Sequence, residues 1–180
     1  MREVRFAGFG GQGIIRSGII IGAAASLHDK RFATLTQSFG PEARGGACSA
    51  QVVVSDERVL YPYITKPDIL VAMSQEAYAK YEEELKDNGL LVYDADLVHP
   101  KKRKVKTKEF SIPATRFAEE RGNRIIANVV MLGFFTAVTD VVSKEAMKKA
   151  IPSFVPSRFI DLNMKAFDKG YDYGKEGQKS

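Results

Sequence analysis

The first 29 residues constrain the fold of this chain more than any other stretch. A short, largely apolar run at residues 4–7 leads into a glycine-rich segment, and apolar residues then recur at helical spacing as far as Leu27. This order predicts a buried strand, a tight turn and a long helix. Because open α/β sheets bind ligands where their strands end, we expect functional groups at the turn. The segment contains Gly8, Gly10, Gly11, Gln12 and Gly13.

Three of these glycines, Gly8, Gly10 and Gly13, have the spacing G-x-G-x-x-G between strand and helix. Missing side chains would let backbone N–H groups approach a phosphate or carboxylate at the positive end of the helix. The same glycines would equally allow the helix to pack closely on the sheet, so the pattern leaves an anion site and a packing turn open. A NAD site is disfavoured, because the second predicted strand ends at Gln37 and not in the acidic residue that holds a ribose hydroxyl.

The size and composition of the chain predict a single folded unit. It has 180 residues, of which 44% are hydrophobic, and these are enough to build one core. We expect one α/β domain over residues 1–170 and a loose C-terminal tail over residues 171–180. No run of 18 apolar residues and no signal-peptide pattern is present, so we expect a cytoplasmic protein that does not enter the membrane.

The cysteine and histidine content limits the metal chemistry. Cys48 is the only cysteine, so this chain lacks the thiolates that hold an iron–sulfur cluster, and it cannot form an internal disulfide. His28 and His99 are far apart in sequence and have no cysteine nearby, so a structural zinc site is not expected. Cys48 itself is either a reactive thiol at the end of a loop or an inert side chain at the start of a buried strand.

A second glycine-rich loop lies between two predicted strands at residues 32–37 and 48–54. Arg44 could bind a carboxylate or phosphate through two parallel hydrogen bonds, with Glu42 orienting it. Alternatively, both side chains face solvent. The candidate residues of this loop are Phe39, Gly40, Pro41, Glu42, Arg44, Gly45 and Gly46.

The next part of the chain predicts a mixed sheet. Residues 59–64 are expected to pair back on residues 48–54 as an antiparallel hairpin, with Pro62 at a bulge or an edge. Residues 69–73 and 90–93 read as buried strands joined by a helix, which gives a parallel β-α-β unit. The expected fold class is therefore α/β, a three-layer α/β/α arrangement with a mixed, mostly parallel sheet.

Two charged groups follow this β-α-β unit. Asp94 and Asp96 come directly after a strand, where they could hold magnesium or simply form a turn. The lysine-rich run at residues 99–108 resembles a short nucleic-acid-binding patch. It contains no interleaved aromatic residues, so we favour a solvated edge strand in which lysines prevent edge-to-edge association.

The last third of the chain predicts helices. Residues 125–142 are too apolar on all sides for a surface helix, so this helix should be buried. Asn128 lies within it, and its amide must either bind a neighbouring backbone or point into a site. A final helix is expected over residues 157–169, with Gly170 as its end.

The residues alone indicate no catalytic set. No Ser/His/Asp or Cys/His combination stands out, and no catalytic residue is assigned. A chain with two glycine-rich loops, a buried core and no evident nucleophile suits a subunit that completes an active site on another chain.

Five groups of residues form a pattern that covers nearly the whole chain. They are residues 10–13 (GGQG), residues 39–46 (FGPEARGG), residues 67–72 (PDILVA), Asn128 with Leu132 and Gly133, and Asn163 with Ala166, Phe167, Gly170 and Tyr171. This pattern resembles the gamma subunit of 2-oxoacid:ferredoxin oxidoreductases. The resemblance implies a three-layer α/β domain that packs against an alpha subunit and helps to enclose the active site.

The resemblance also implies an activity for the whole complex. Members of the family decarboxylate a 2-oxo acid on thiamine diphosphate, pass electrons through iron–sulfur clusters to ferredoxin and transfer the acyl group to coenzyme A. These cofactors would belong to the assembled complex and not to this chain alone, with alpha and beta subunits as partners and a delta subunit as a further candidate. Both glycine-rich loops would face a partner or the substrate. Overall likeness favours 2-oxoglutarate, with pyruvate and branched-chain 2-oxo acids still open.

Two other functions remain as alternatives. The chain could be a stand-alone nucleotide- or phosphate-binding module without redox partners, which the glycine turn and Arg44 would serve. It could also bind nucleic acid through residues 101–108, in which case its affinity would fall steeply with salt. We expect neither nucleic-acid binding nor membrane binding.

Overall fold

The computed structural model describes residues 1–39, 46–102 and 106–178. Within these residues the chain forms one six-stranded sheet. Its strands are β1 (Arg2–Phe9), β2 (Phe32–Ser38), β3 (Ala47–Ser55), β4 (Ile69–Ala72), β5 (Leu90–Asp94) and β6 (Lys108–Ile112). They lie in the order β2-β3-β1-β4-β5-β6, so β1 and β4 occupy the centre.

The sheet is mixed, as the sequence predicted. The pairs β1–β4, β4–β5 and β5–β6 are parallel, whereas β3 pairs antiparallel with both β1 and β2. In the described part of the chain β3 therefore runs against the direction of the other five strands. Phe6, at the centre of β1, pairs with Ala50 on one side and Val71 on the other, and all three are buried.

Helices cover both faces of the sheet, which confirms the three-layer arrangement. The α-helices of the described residues are α1 (Ile14–Ala23), α2 (Gln75–Tyr81), α3 (Ala114–Glu119), α4 (Ala127–Val138), α5 (Lys144–Ala150) and α6 (Ile160–Gly177). The larger hydrophobic cluster lies on the face that carries α1, α4, α5 and α6. A smaller cluster lies under α2 on the opposite face.

Local signals set several helix starts correctly. Ser74 accepts a hydrogen bond from the Ala77 N–H at 3.2 Å and caps α2. Ser143 accepts one from the Ala146 N–H at 3.1 Å and caps α5 in the same way. The long apolar helix is buried, as predicted, but α4 is shorter than residues 125–142 because Thr139 is extended and its hydroxyl donates to the Phe135 carbonyl.

The predicted strand at residues 59–64 was wrong. Residues 56–68 contain neither helix nor strand. Both edges of β3 are already paired, one with β1 and the other with β2, so no edge of β3 remains for a hairpin partner. The antiparallel part of the sheet that we expected from this hairpin comes instead from the reversed direction of β3.

The predicted end of the last helix at Lys169 was also wrong. Helix α6 continues through Gly170 to Gly177, so residues 171–177 are helical and not a loose tail. Gly170 lies where α6 crosses α4, and a Cβ atom there would lie 1.9 Å from the Val130 carbonyl oxygen. Gly133 of α4 makes the reciprocal contact, 2.0 Å from the Phe167 carbonyl oxygen. Gly170 is therefore a close-packing residue and not a helix end.

The lysines of the run at residues 99–108 are exposed where they are described, as predicted, but only Lys108 of these residues lies in a strand. Strand β6 is one edge of the sheet, and its first two residues, Lys108 and Glu109, are exposed. Charged side chains on an edge strand oppose pairing with another sheet. In the described ranges, no helix is long and apolar enough to cross a membrane.

Candidate functional site

The candidate site lies at the end of the sheet where the C-terminal ends of β1, β4 and β5 lie side by side. The turn after β1 needs two left-handed residues, and both are glycines: Gly11 has φ +94° and Gly13 has φ +73°. Gly13 begins α1 without a side-chain cap. Because side chains other than glycine strain this backbone conformation, these two positions explain part of the glycine pattern without any ligand.

Gln12 fills the inside of the turn. Its side-chain oxygen accepts a hydrogen bond from the Phe9 N–H at 2.7 Å, and its amide nitrogen donates to the Met73 carbonyl at 3.0 Å. One side chain therefore joins the end of β1 to the residue that follows β4. A turn closed in this way differs from an open phosphate-binding loop, where the N–H groups remain free for the ligand.

Gly8 and Gly13 allow close packing. A Cβ atom on Gly8 would lie 2.5 Å from the Gln12 side-chain oxygen, and one on Gly13 would lie 2.6 Å from the Asn128 amide nitrogen. Asn128 is buried in α4 and donates to the Gly13 carbonyl at 3.4 Å and to the Ser17 hydroxyl at 3.3 Å. Of the two interpretations left open for Asn128, the structure supports the backbone tether.

The two glycine-rich segments meet at this edge. The Gly10 N–H donates to the Gly46 carbonyl at 3.4 Å, and Gly8 pairs with Cys48 in the sheet. Gly10 and Gly11 are exposed, as is Phe39, at the near side of the second loop. The other candidate residues of that loop, Gly40, Pro41, Glu42, Arg44 and Gly45, lie outside the described residues.

Two cavities adjoin the turn. One, of 170 Å³, is lined by Gly11, Gln12, Thr115, Arg124, Ile125 and Ala127. The other, of 490 Å³, is lined by Phe9, Gln12, Ser74, Gln75, Glu76, Ala79, Leu97 and Arg124. Gln12 and Arg124 line both, so Arg124 adjoins two recesses beside the turn.

Sequence reasoning missed Arg124. It lies in a short 3-10 helix, Arg124–Ile126, which is capped by Asn123: the side-chain oxygen of Asn123 accepts a hydrogen bond from the Ile125 N–H at 3.0 Å. The capping asparagine is a local signal that could have placed this arginine at the start of a helix. Among the described residues, Arg124 forms an ion pair with Glu119 at 3.7 Å, and its side chain is 65% exposed. This arginine is therefore available to an anion.

The aspartates after β5 serve the fold. Asp94 is fully buried, and its carboxylate accepts hydrogen bonds from the Thr115 N–H at 2.9 Å and the Thr115 hydroxyl at 2.7 Å. Asp96 forms an ion pair with Arg116. Among the residues that the structure describes, no three His, Cys, Asp or Glu side chains are grouped so as to hold a metal ion. The two aspartates thus act as a buried cap for α3 and an ion-pair partner.

Cys48 is expected to react slowly with thiol reagents. It is buried in β3 beside Gly8, and burial raises the pKa of its thiol, so little thiolate is present at neutral pH. At pH 8 we expect modification by an aromatic disulfide to be at least about tenfold slower than that of free cysteine. Addition of urea should remove the difference. Rapid modification of the native protein would instead indicate a reactive thiol.

Comparisons with known proteins agree with this architecture. Residues 3–173 match the family described as pyruvate ferredoxin/flavodoxin oxidoreductase. The 2-oxoglutarate synthase subunit KorC of Methanocaldococcus jannaschii is 50% identical over 177 residues, which cover 97% of this chain and 95% of that protein.

Two solved structures share the fold over nearly the whole chain. The gamma subunit of a keto/oxoacid ferredoxin oxidoreductase from Geobacter sulfurreducens PCA has a TM-score of 0.85 and 42% identity, covering 97% of this chain and 98% of that one. The 2-oxoglutarate:ferredoxin oxidoreductase from Magnetococcus marinus, solved with 2-oxoglutarate, coenzyme A and succinyl-CoA bound, has a TM-score of 0.85 and 26% identity. There the match covers 98% of this chain but 32% of the other. The resemblance seen in the sequence motifs is confirmed: the chain belongs to the pyruvate ferredoxin/flavodoxin oxidoreductase family and is a gamma subunit of a 2-oxoacid:ferredoxin oxidoreductase.

Proposed function

We propose that this chain is the gamma subunit of a thiamine diphosphate-dependent enzyme that converts 2-oxoglutarate to succinyl-CoA and passes the electrons to ferredoxin. The observation that carries this proposal is the 50% identity, over nearly the full length of both proteins, to a 2-oxoglutarate synthase subunit. The second structural relative, with its bound 2-oxoglutarate and coenzyme A, supports the same substrates. Alpha and beta subunits would complete the enzyme, with a delta subunit as a further partner.

Within that enzyme, the described residues suit enclosure and binding more than bond-breaking. Thiamine diphosphate, when bound in such a complex, supplies the carbanion that attacks the 2-oxo acid. Among the described residues no three His, Cys, Asp or Glu side chains are grouped so as to hold a metal ion, and the one cysteine of the chain cannot hold a cluster. We therefore assign the thiamine and the clusters to partner subunits. This chain would exclude water from the reacting centre, which protects a reactive carbanion from protonation.

We assign the surface around the glycine turn to the enclosed active site. Gly10 and Gly11 are exposed there, Gln12 holds the turn rigid, and Arg124 adjoins two recesses. Both coenzyme A and 2-oxoglutarate carry anionic groups that a guanidinium binds well. The second loop ends at Gly46, whose carbonyl accepts a hydrogen bond from the turn, so Glu42 and Arg44 are further candidates for binding the same anionic groups.

Arg124→Ala should weaken the binding of an anionic substrate in the assembled enzyme. Loss of one charge-assisted contact predicts a KM for coenzyme A or for 2-oxoglutarate that is about tenfold higher, with kcat nearly unchanged. Arg121→Ala is the matched control, because Arg121 is exposed three residues earlier and lines neither cavity. Steady-state kinetics of both variants measure these KM values. Equal KM values for both substrates in the two variants would remove Arg124 from the site.

The function itself is tested by reconstitution. The chain is combined with the purified partner subunits, and 2-oxo-acid-dependent dye reduction is measured with and without thiamine diphosphate and coenzyme A. We expect a stable complex whose turnover needs both and is fastest with 2-oxoglutarate. Preference for pyruvate or a branched-chain 2-oxo acid would correct the substrate. Failure to bind the partners, together with binding of a free nucleotide, would support a stand-alone anion-binding module instead.

A further inference from the structure

A second surface, at the opposite end of β1 from the turn, carries exposed aromatic side chains. Residues 56–66, which we name the aromatic strap, leave the end of β3 and cross to β4 without forming helix or strand. Its large side chains point into solvent: Leu60 is 88% exposed, Tyr61 69% and Tyr63 62%. The strap begins at the end of the sheet that is opposite the turn, and it returns to the middle of β1 and β3, where Arg5 and Gln51 bind Ile64.

The strap is firmly held in spite of its irregular backbone. At its start, the Ser55 hydroxyl accepts a hydrogen bond from the Glu57 N–H at 3.1 Å. At its end, the Ile64 N–H donates to the Gln51 side chain at 3.2 Å, and the buried Arg5 donates to the Ile64 carbonyl at 3.4 Å. The strap is thus pinned to β3 and β1 on either side of its exposed residues.

The exposed residues are also ordered relative to one another. The rings of Tyr61 and Tyr63 meet edge to face, with centroids 5.6 Å apart, and Pro62 between them restricts the backbone. Next to them, Met1, Glu3 and the residues from Ser55 to Tyr61 line a groove of 610 Å³. Pre-ordered aromatic side chains beside a groove are typical of the centre of a protein interface, because little conformational entropy is lost on binding.

The relatives indicate which protein would cover this surface. The Magnetococcus enzyme carries the domain as about a third of a longer chain, so the domain is covalently attached to the other two thirds. The KorC relative consists almost entirely of the domain, so attachment there depends on surface contacts alone. A stable interface needs about 1,000 Å² with a desolvated apolar centre.

We propose that the aromatic strap is a docking surface for the subunit that corresponds to the remaining two thirds of the fused relative. Tyr61 and Tyr63 are its central anchors, and the groove beside Met1 receives a side chain of that subunit. The inference rests on the proposed function, because it requires the chain to be part of the oxidoreductase. It adds a second contact region, separate from the turn that we assign to the active site.

The test compares two variants of the full chain for binding to the purified partner subunit. The double variant Tyr61→Ser/Tyr63→Ser should raise the Kd at least about 30-fold, as loss of two central aromatic anchors does in other interfaces. Leu27→Ser is the control: Leu27 is also 69% exposed but belongs to the short helical segment Ala24–His28 after α1 and not to the strap. Its Kd should change less than about threefold. Thermal unfolding of both free variants should match that of the unchanged chain, because the replaced side chains face solvent.

The outcomes separate the docking inference from the function. Equal Kd values for the double variant and the unchanged chain would overturn the docking inference while leaving the function intact. If the unchanged chain fails to bind the partner at all, both proposals fall. If the chain alone forms a dimer that the double variant abolishes, the strap is an interface between two copies, and our assignment of the partner is wrong.

Discussion

Gly170→Ala should lower the free energy of unfolding by about 3 kcal/mol, at the upper end of what overpacking costs. A Cβ atom at this position would lie 1.9 Å from the Val130 carbonyl oxygen, and backbone atoms of two packed helices cannot move apart without separating other contacts. Helices α4 and α6 approach so closely because Gly133 and Gly170 present bare backbone to one another. For a domain of this size, such a loss corresponds to a melting temperature about 6–12 °C lower.

Gly177→Ala provides the matched control for this prediction. Gly177 is the last residue of the same helix, and a Cβ atom there would meet nothing within 4 Å. Because alanine favours helix over glycine, this variant should be neutral or more stable by up to about 1 kcal/mol. Urea unfolding of the two variants measures the difference. If both behave alike, the close crossing of α4 and α6 is not tight enough to exclude a methyl group.

Asp94→Ala should lower the free energy of unfolding by a similar amount, about 3 kcal/mol. The buried carboxylate receives two hydrogen bonds from Thr115, and a third from the Asp96 N–H at 3.0 Å. Removing it leaves the two Thr115 donors buried without an acceptor, and hydrogen bonds to a charged group are among the stronger ones in proteins. The loss should appear as a lower urea midpoint with an unchanged m-value.

Asp96→Ala tests whether burial is the cause. Asp96 is the same residue type two positions later, and its carboxylate pairs with Arg116, whose side chain is 61% exposed. Partly solvated pairs of this kind contribute less than about 1 kcal/mol. A variant of Asp96 that is as unstable as the Asp94 variant would show that the ion pair, and not the buried cap, fixes the start of α3.

The sequence was most informative where structure depends on neighbours along the chain. The strand, glycine turn and helix at the start of the chain were predictable because periodicity and glycine spacing are local. Ser74 and Ser143 cap two helices, and a serine just before a helical pattern is likewise a local signal. Asn128 could be flagged as a buried amide, but which of its two interpretations holds depends on α1, a hundred residues away in sequence.

The sequence misled where distant parts of the chain decide. Gly170 has the sequence pattern of a helix end, but in the structure it allows α6 to pack closely against Val130 of α4. Residues 59–64 have adequate strand propensity, but no edge of β3 was free to receive them. Arg124 lies beside the turn because of the tertiary fold, and no sequence motif distinguishes it from the other arginines.

The reversed direction of β3 has a consequence for how such subunits diverge. β2 runs parallel to β1, and β3 runs in the opposite direction. The connection from β2 to β3 therefore begins and ends at the end of the sheet that carries the glycine turn. The hydrogen bonds between β2 and β3 fix both ends of this connection, so insertions or deletions within it leave the register of the sheet unaltered. Lengthening a loop twofold costs only about 0.6 kcal/mol. Evolution could therefore change the length of this one connection beside the glycine turn without rebuilding the core.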